Sequence, residues 1–207
     1  MFFPTDATSS LPSSIYLDLI FCYYTYVCTR ANFNFKEILE TDRLLLRPFS
    51  MHDAANVFEY ACDAETTEYL TWKPHKTFQE SANIIQTIYI PTNVYCIELK
   101  TESKCIGAFE PRVYDNESSF GYILNKKYWN NGYMSEVLKQ MINVFFANPK
   151  CTQVVGTHFV GNEASGAVMS KCGMKKIGIQ KETVEAKGKT FTAVLYKLER
   201  HEWEDEL

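Results

Sequence analysis

A mixed α+β fold, with strands in a run, helices between them and one helical crossover, is what three features of this chain predict. Seven apolar residues, Met134, Val137, Leu138, Met141, Ile142, Phe145 and Phe146, recur at helical spacing and form one stripe, with Ser135, Glu136, Lys139, Gln140 and Asn143 turned away. Extended runs of strand-forming residues stand on both sides of that helix, separated by turn residues. The third feature is size: 207 residues, 46% hydrophobic and 22% charged, suffice for one well-buried core and are few for two domains.

In chain order, residues 1–35 stand apart as an appendage of unknown role before a domain spanning 36–207. Its apolar run, Ile15 to Cys28, is 14 residues long and broken by Asp18, too short to cross a bilayer. The start carries Asp6 and no Lys or Arg, which fits a signal peptide poorly. Ile38 to Arg47 reads as one strand, with Leu44 and Leu46 alternating against Arg43, Leu45 and Arg47. Ser50-x-x-Asp53 opens a helix bearing Ala54, Val57, Phe58 and Ala61; Thr77-x-x-Glu80 opens another that stops at Pro91. Val94–Leu99, Cys105–Val113 and Ser118–Leu124 read as strands, the last two a hairpin around Asp115-Asn116. After the periodic helix come a strand at Gln153–Phe159, a short helix capped by Asn162 and ending at Gly173, and a final hairpin of Met174–Lys181 and Thr190–Leu198.

Charge and composition narrow the function. A formal net charge of −4 leaves no basic footprint, so no nucleic-acid partner is expected, and the acidic end, Glu199 to Leu207, reads as solvated. Seven cysteines without a C-x-x-C pair read as free thiols in a reducing, cytoplasmic setting. The four histidines lie far apart, with no second ligand at three to five residues, so no metal is expected. No membrane partner is expected either.

The stretch from Tyr128 to Glu136 carries the chemistry. A strand-like run enters it and the periodic helix leaves it, so free N–H groups at a helix start, beside a glycine, offer a site for an anion such as a pyrophosphate. A turn before an ordinary core helix is the competing reading.

Three segments together resemble the GNAT N-acetyltransferases, closest to the ribosomal-protein alanine acetyltransferase (Rim) type: Thr41-Asp42-Arg43-Leu44-Leu45-Leu46-Arg47-Pro48-Phe49 with Asp53; Gly121-Tyr122-Ile123-Leu124 through Tyr128-Trp129 to Gly132-Tyr133-Met134-Ser135-Glu136; and Asn162 to Met174. The resemblance implies a mostly antiparallel central sheet with two splayed parallel strands, around Tyr122 and His158, and flanking helices. It also implies transfer of an acetyl group from acetyl-CoA, as co-substrate, to an amine acceptor by a monomer or homodimer. Backbone groups at Tyr122, Ile123 and Leu124 would meet the pantetheine, and Asn130, Asn131, Gly132, Tyr133, Met134 and Ser135 the diphosphate, with Asn162 on the second cofactor segment. Lys126, Lys127 and Lys171 either meet the phosphates or form a solvated face.

Departures from the family pattern shape the rest. Trp129, Asn130 and Met134 replace its usual loop residues; asparagine tolerates positive φ, and Met134 can face the core while its N–H faces the anion. Met169 stands where many members carry an acidic tyrosine, so the Rim resemblance points to Ser165 as proton donor to the thiolate. Ser119 stands where relatives often carry a glutamate; Glu110 is the first choice of base, with Glu117, Glu182, Glu185 and His158 left open. Trp72 either lines the acceptor pocket or plugs the core, Trp129 anchors the loop, and Cys172 is a small core residue. Neutralising a lysine at pH 7 costs about 4.6 kcal/mol and an α-amino group about 1 to 1.4 kcal/mol, so a site without a strong base favours protein N-termini. The alternatives are a small-molecule or antibiotic acetyltransferase and a non-catalytic acyl-CoA-binding domain.

Overall fold

A computed structural model of the protein describes residues 37–114 and 116–205, with the backbone alone at 181–185. The N-terminal appendage, Asp115 and the last two residues lie outside the described residues. The run expected as one strand at 38–47 is two: β1 (Leu39–Glu40) and β2 (Leu44–Pro48) pair antiparallel, Leu39 opposite Leu46. The turn between them contains no glycine or proline. It is held by the Thr41 N–H on the Leu44 carbonyl and by Glu136, whose carboxylate accepts from Thr41 Oγ1 at 2.6 Å and the Arg43 N–H at 2.9 Å.

Ser50 precedes a 3-10 turn, Met51–Asp53, that runs into α1 (Ala54–Ala61); the Ser50 N–H donates to the Asp53 carboxylate at 2.9 Å, one half of the expected reciprocal cap. Thr77 caps α2 (Phe78–Ile84) by accepting from the Glu80 N–H, and a π-helical turn, Ile85–Tyr89, carries it to Pro91. Then follow β3 (Tyr95–Leu99), β4 (Lys104–Val113), β5 (Glu117–Leu124), α3 (Tyr133–Ala147), β6 (Gln153–Phe159), α4 (Glu163–Lys171), β7 (Lys175–Ala186), β8 (Lys189–Glu199) and α5 (Arg200–Glu204). No helix among the described residues is long and apolar enough to cross a membrane.

The eight strands make one sheet in the order β1-β2-β3-β4-β5-β6-β8-β7. Every neighbouring pair is antiparallel except β5 and β6, which α3 joins by a crossover. All seven residues of the apolar stripe are buried on α3. With Leu44, Leu46, Phe109, Phe120, Val154 and Met169 they form the larger core on one face of the sheet; α1 and α2 cover the other face through Val57, Tyr60, Ala82 and Ile85 on Cys96, Cys105, Ala108 and Ile123. The C-terminal segment is docked through α5, while its acidic Glu204 and Asp205 stay exposed, as the solvated reading expects. Trp203 is buried and donates to Asn143 Oδ1 at 3.1 Å, while Arg200 holds the Cys151 and Asn148 carbonyls.

Three carboxylates tie this frame together. Burial alone would raise Asp53, but the two bonds from Arg47 and those from Ser50 outweigh it and hold its pKa below the ordinary value. Burial likewise opposes Glu136, and Thr41 and Arg43 outweigh it. Lys104, then Lys127, lower Glu59 to about 2. Groups whose folded pKa lies below the unfolded value contribute stability above the unfolded pKa, near 4, and lose it as pH falls through the folded value. The urea midpoint is therefore expected to hold from about pH 7 to 5 and fall steeply between about pH 4 and 2, less steeply in Glu59→Gln. A flat midpoint down to about pH 2.5 would show that these carboxylates do not carry the acid response.

Candidate active site

The parallel pairing of β5 with β6 runs over Glu117, Ser118 and Ser119 opposite Gln153, Val154 and Val155. Beyond Ser119 the register with β6 ends while β5 continues to Leu124, so the strands splay into a gap. The antiparallel ladder sets which backbone groups line it. Tyr114 donates to Glu117 and Asn125 to Ile106 at the two ends of the hairpin, so the alternation between them gives the Ile123 N–H and C=O to Ala108 and turns those of Tyr122 and Leu124 towards β6. On the opposite wall the same reasoning, from the Arg200–Thr152 and Val160–Thr192 bonds, turns Thr157 towards β5. The Leu124 carbonyl accepts the Trp129 indole N–H at 2.7 Å, so Trp129 anchors the loop.

That loop ends in an uncapped helix. Asn130 has φ 61° and Gly132 φ 78°, and Gly132, the residue before α3, brings no capping side chain. The first intrahelical bond runs from the Glu136 N–H to the Gly132 carbonyl, so the Tyr133, Met134 and Ser135 N–H groups have no partner within the helix. Glu136, the acidic residue of that first turn, reaches back to Thr41 and Arg43 instead. Arg43 also donates to the Asn131 carbonyl at 2.9 Å, and its guanidinium lies 4.5 Å over the Tyr133 ring. Asn131 Nδ2 holds the Tyr128 and Trp129 carbonyls, and Met134 is buried in the core. The arrangement suits an anion at the loop: N–H groups, the positive helix end and a nearby guanidinium. Arg43 as a loop brace was not foreseen; its only sequence signal was a basic residue in the first matching segment.

The lysines take sides. Lys126 pairs with Asp63 at 3.2 Å and Glu65 at 3.1 Å, and Lys127 with Glu59 at 2.7 Å, so both brace the loop against α1 and its following turn. Trp72 packs partly buried against the α1–α2 core, tilted on His75 at 5.0 Å. Cys172 is buried, its thiol pushed up to about 11 by burial, with Sγ 3.4 Å from the Ser135 carbonyl.

At the gap, Asn162 caps α4 by accepting the Ser165 N–H, which places Ser165 on the first turn. Tyr122 on β5 reaches it, hydroxyl to Oγ, at 2.7 Å. Period-2 alternation already set Tyr122 on the face of Phe120; that it meets Ser165 depends on where α4 lies. Glu110 is elsewhere. It shares the face of Ala108, opposite that of Phe109 and Tyr122, and bonds Arg112 Nη2 at 2.6 Å beside Gly121. The structure thus puts Ser165 and Glu110 on opposite faces of the sheet. Of the other base candidates, Glu117 accepts from Gln153 Nε2 at the sheet end, and the Glu182 and Glu185 side chains lie outside the described residues. His158 is buried, with Nδ1 2.9 Å from the Phe159 carbonyl and Nε2 unpartnered against α4.

One group of possible metal ligands occurs among the described residues: Asp53, Cys96 and Cys105, all buried, with ligand atoms within 4.8 Å of one another. Both Asp53 oxygens already accept from Arg47, whose positive charge competes with a cation there.

Comparisons with known proteins agree with this geometry. The model of the acetyltransferase (GNAT) domain matches residues 43–175. An uncharacterized N-acetyltransferase of Bacillus subtilis, YoaA, is 25% identical over 169 residues, covering 78% of this chain and 96% of that protein. The crystal structure of a GNAT-family acetyltransferase from Bacillus anthracis superposes with a TM-score of 0.73 at 23% identity, over 80% of this chain and 99% of that one. RimL, a ribosomal L7/L12 alpha-N-protein acetyltransferase, superposes at 0.68 with 17% identity, over 79% of this chain and 94% of its own.

Proposed function

The chain belongs to the acetyltransferase (GNAT) family, and from that premise we propose that this acetyl-CoA-dependent N-acetyltransferase acts on protein N-terminal α-amino groups, in the manner of the Rim type. One observation carries the reading: the β5–β6 gap has the Ser165 hydroxyl on one face, while on the other the nearby carboxylate, Glu110, is committed to Arg112. Such a site holds its two described candidate carboxylates, Glu110 and Glu117, in other bonds. It suits an amine that sheds its proton at small cost, about 1 to 1.4 kcal/mol for an α-amino group at pH 7 against about 4.6 kcal/mol for lysine.

The residues divide the work across the sheet. The N–H groups of Tyr133, Met134 and Ser135, shaped by Asn130, Asn131 and Gly132, receive the diphosphate of acetyl-CoA. Tyr122 and Leu124 offer backbone groups to the pantetheine arm, and the Asn162 cap holds the start of α4 in place. On the α1–α2 face the amine enters and loses its proton through water, with Glu110 assisting. On the α4 face Ser165, at the positive helix end, gives a proton to the departing thiolate. The free thiols of Cys62, Cys96, Cys105, Cys151 and Cys172 fit a reducing, cytoplasmic setting.

The test is thiol release from acetyl-CoA over N-terminal peptides, polyamines and aminoglycosides, with wild type and Ser165→Ala. Peptides with free N-termini should turn over fastest, and Ser165→Ala should slow them by about tenfold or more. Polyamines or lysine side chains outrunning the peptides would remove the proposed acceptor. An unchanged Ser165→Ala would remove the proposed acid.

A further inference from the structure

Ser165 has one hydroxyl hydrogen and two places to send it. A serine on a first helical turn can bond a nearby backbone carbonyl; only a hydroxyl turned to the gap can serve a leaving thiolate. The partner of Oγ decides between them. The Tyr122 hydroxyl lies 2.7 Å from Ser165 Oγ and 3.3 Å from the Ser165 carbonyl oxygen. The first is an ordinary O–H···O distance and the second is long, and a phenol, being more acidic than an alcohol, is the better donor of the pair. With the phenol hydrogen given to Oγ, the serine hydrogen is left to point elsewhere.

The geometry around Tyr122 makes this a fixed arrangement. Its ring lies near-parallel to Phe120 at 5.9 Å and to Phe109 at 6.5 Å, both on the sheet face below α4. Burial raises the Tyr122 pKa above its ordinary value, and the bond to Ser165 only partly offsets that. The phenol thus keeps its hydrogen throughout the neutral range.

Resting on the reading of Ser165 as proton donor, we propose that Tyr122 is a positioning residue: its hydroxyl donates to Ser165 Oγ and leaves the serine hydrogen aimed at the coenzyme A sulfur. The amine nitrogen forms a C–N bond to the acetyl carbon; as the C–S bond breaks its electron pair stays on sulfur, the Oγ–H proton passes to it, and water returns to Ser165 the proton that the amine has shed. Tyr122 loses no proton. Two hydroxyls donating in one direction polarise each other, so the tyrosine also strengthens the serine as a donor.

Steady-state kinetics of the full chain with acetyl-CoA and an alanyl tetrapeptide, in wild type, Tyr122→Phe, Ser165→Ala and the double variant, test this. Tyr122→Phe keeps the ring and should lower kcat about tenfold with the KM for acetyl-CoA within about twofold, and the double variant should be no slower than Ser165→Ala. The same fractional loss from Tyr122→Phe with and without Ser165, or a raised KM at full kcat, overturns the positioning role. A slow Ser165→Ala beside a full-rate Tyr122→Phe sinks this inference alone, whereas a full-rate Ser165→Ala sinks the assignment of Ser165 and this inference with it. A crystal structure of Tyr122→Phe with coenzyme A gives a readout independent of acceptor choice. Ser165 Oγ turned away from the sulfur is expected; Oγ still facing sulfur overturns the proposal.

Discussion

Gly107→Ala is expected to lower the unfolding free energy by about 3 kcal/mol, read as a reduced urea midpoint at unchanged slope. A Cβ at this position of β4 would stand 2.4 Å from the Ile123 carbonyl oxygen and 3.2 Å from Leu124 Cα. Neither atom belongs to a movable side-chain end. The ladder gives the Ile123 carbonyl to Ala108, so relief requires prising β4 from β5 and lengthening a buried backbone bond. Because Leu124 borders the gap, whatever folded protein remains should also bind acetyl-CoA more weakly. A midpoint within experimental error of wild type would mean that the hairpin accommodates the methyl by a small local twist.

Gly166→Ala should act mainly on turnover, with the protein still folded. Its Cβ would meet His158 Nε2 at 2.8 Å and the Tyr196 hydroxyl at 3.0 Å. Both rings are boxed in: His158 is tied to the Phe159 carbonyl, and Tyr196 lies against it with centroids 5.6 Å apart. The first turn of α4 must then lift away from β6, carrying Ser165 off Tyr122. A displacement of order 1 Å at a reacting group costs on the order of 100-fold in rate, so kcat should fall by that factor. Overpacking at one site takes about 1–3 kcal/mol from stability, so a cooperative melt should survive. Wild-type kcat in Gly166→Ala would show that the rings yield and the helix does not.

Local patterns were legible where one element satisfies itself. The α3 stripe from Met134 to Phe146 is buried as its 3.6-residue period requires, and the Thr77 and Asn162 caps sit where short-range hydrogen bonding puts them. The β1–β2 turn was not legible, because nothing in Thr41-Asp42-Arg43 demands a turn; Glu136 imposes it from 93 residues away. The docked α5 was missed for a similar reason, since an acidic tail conceals that Trp203 and Arg200 find Asn143, Asn148 and Cys151. Lys126 and Lys127 looked equally fit for phosphates or solvent until folding set the acidic groups of α1 and its following turn beside them.

Taken alone, the amino-acid sequence determined the kind of each main element, the family, and the loop that presents bare N–H groups, since these rest on periodicity and on motifs within a dozen or so residues. Only the tertiary structure decided that Ile123 faces β4 while Tyr122 and Leu124 face the gap, that Glu110 and Ser165 stand on opposite faces, and that Tyr122 meets Ser165. The physical reason is that strand alternation says which residues share a face, while strand order and helix placement, set by burial across the whole sheet, say what that face meets.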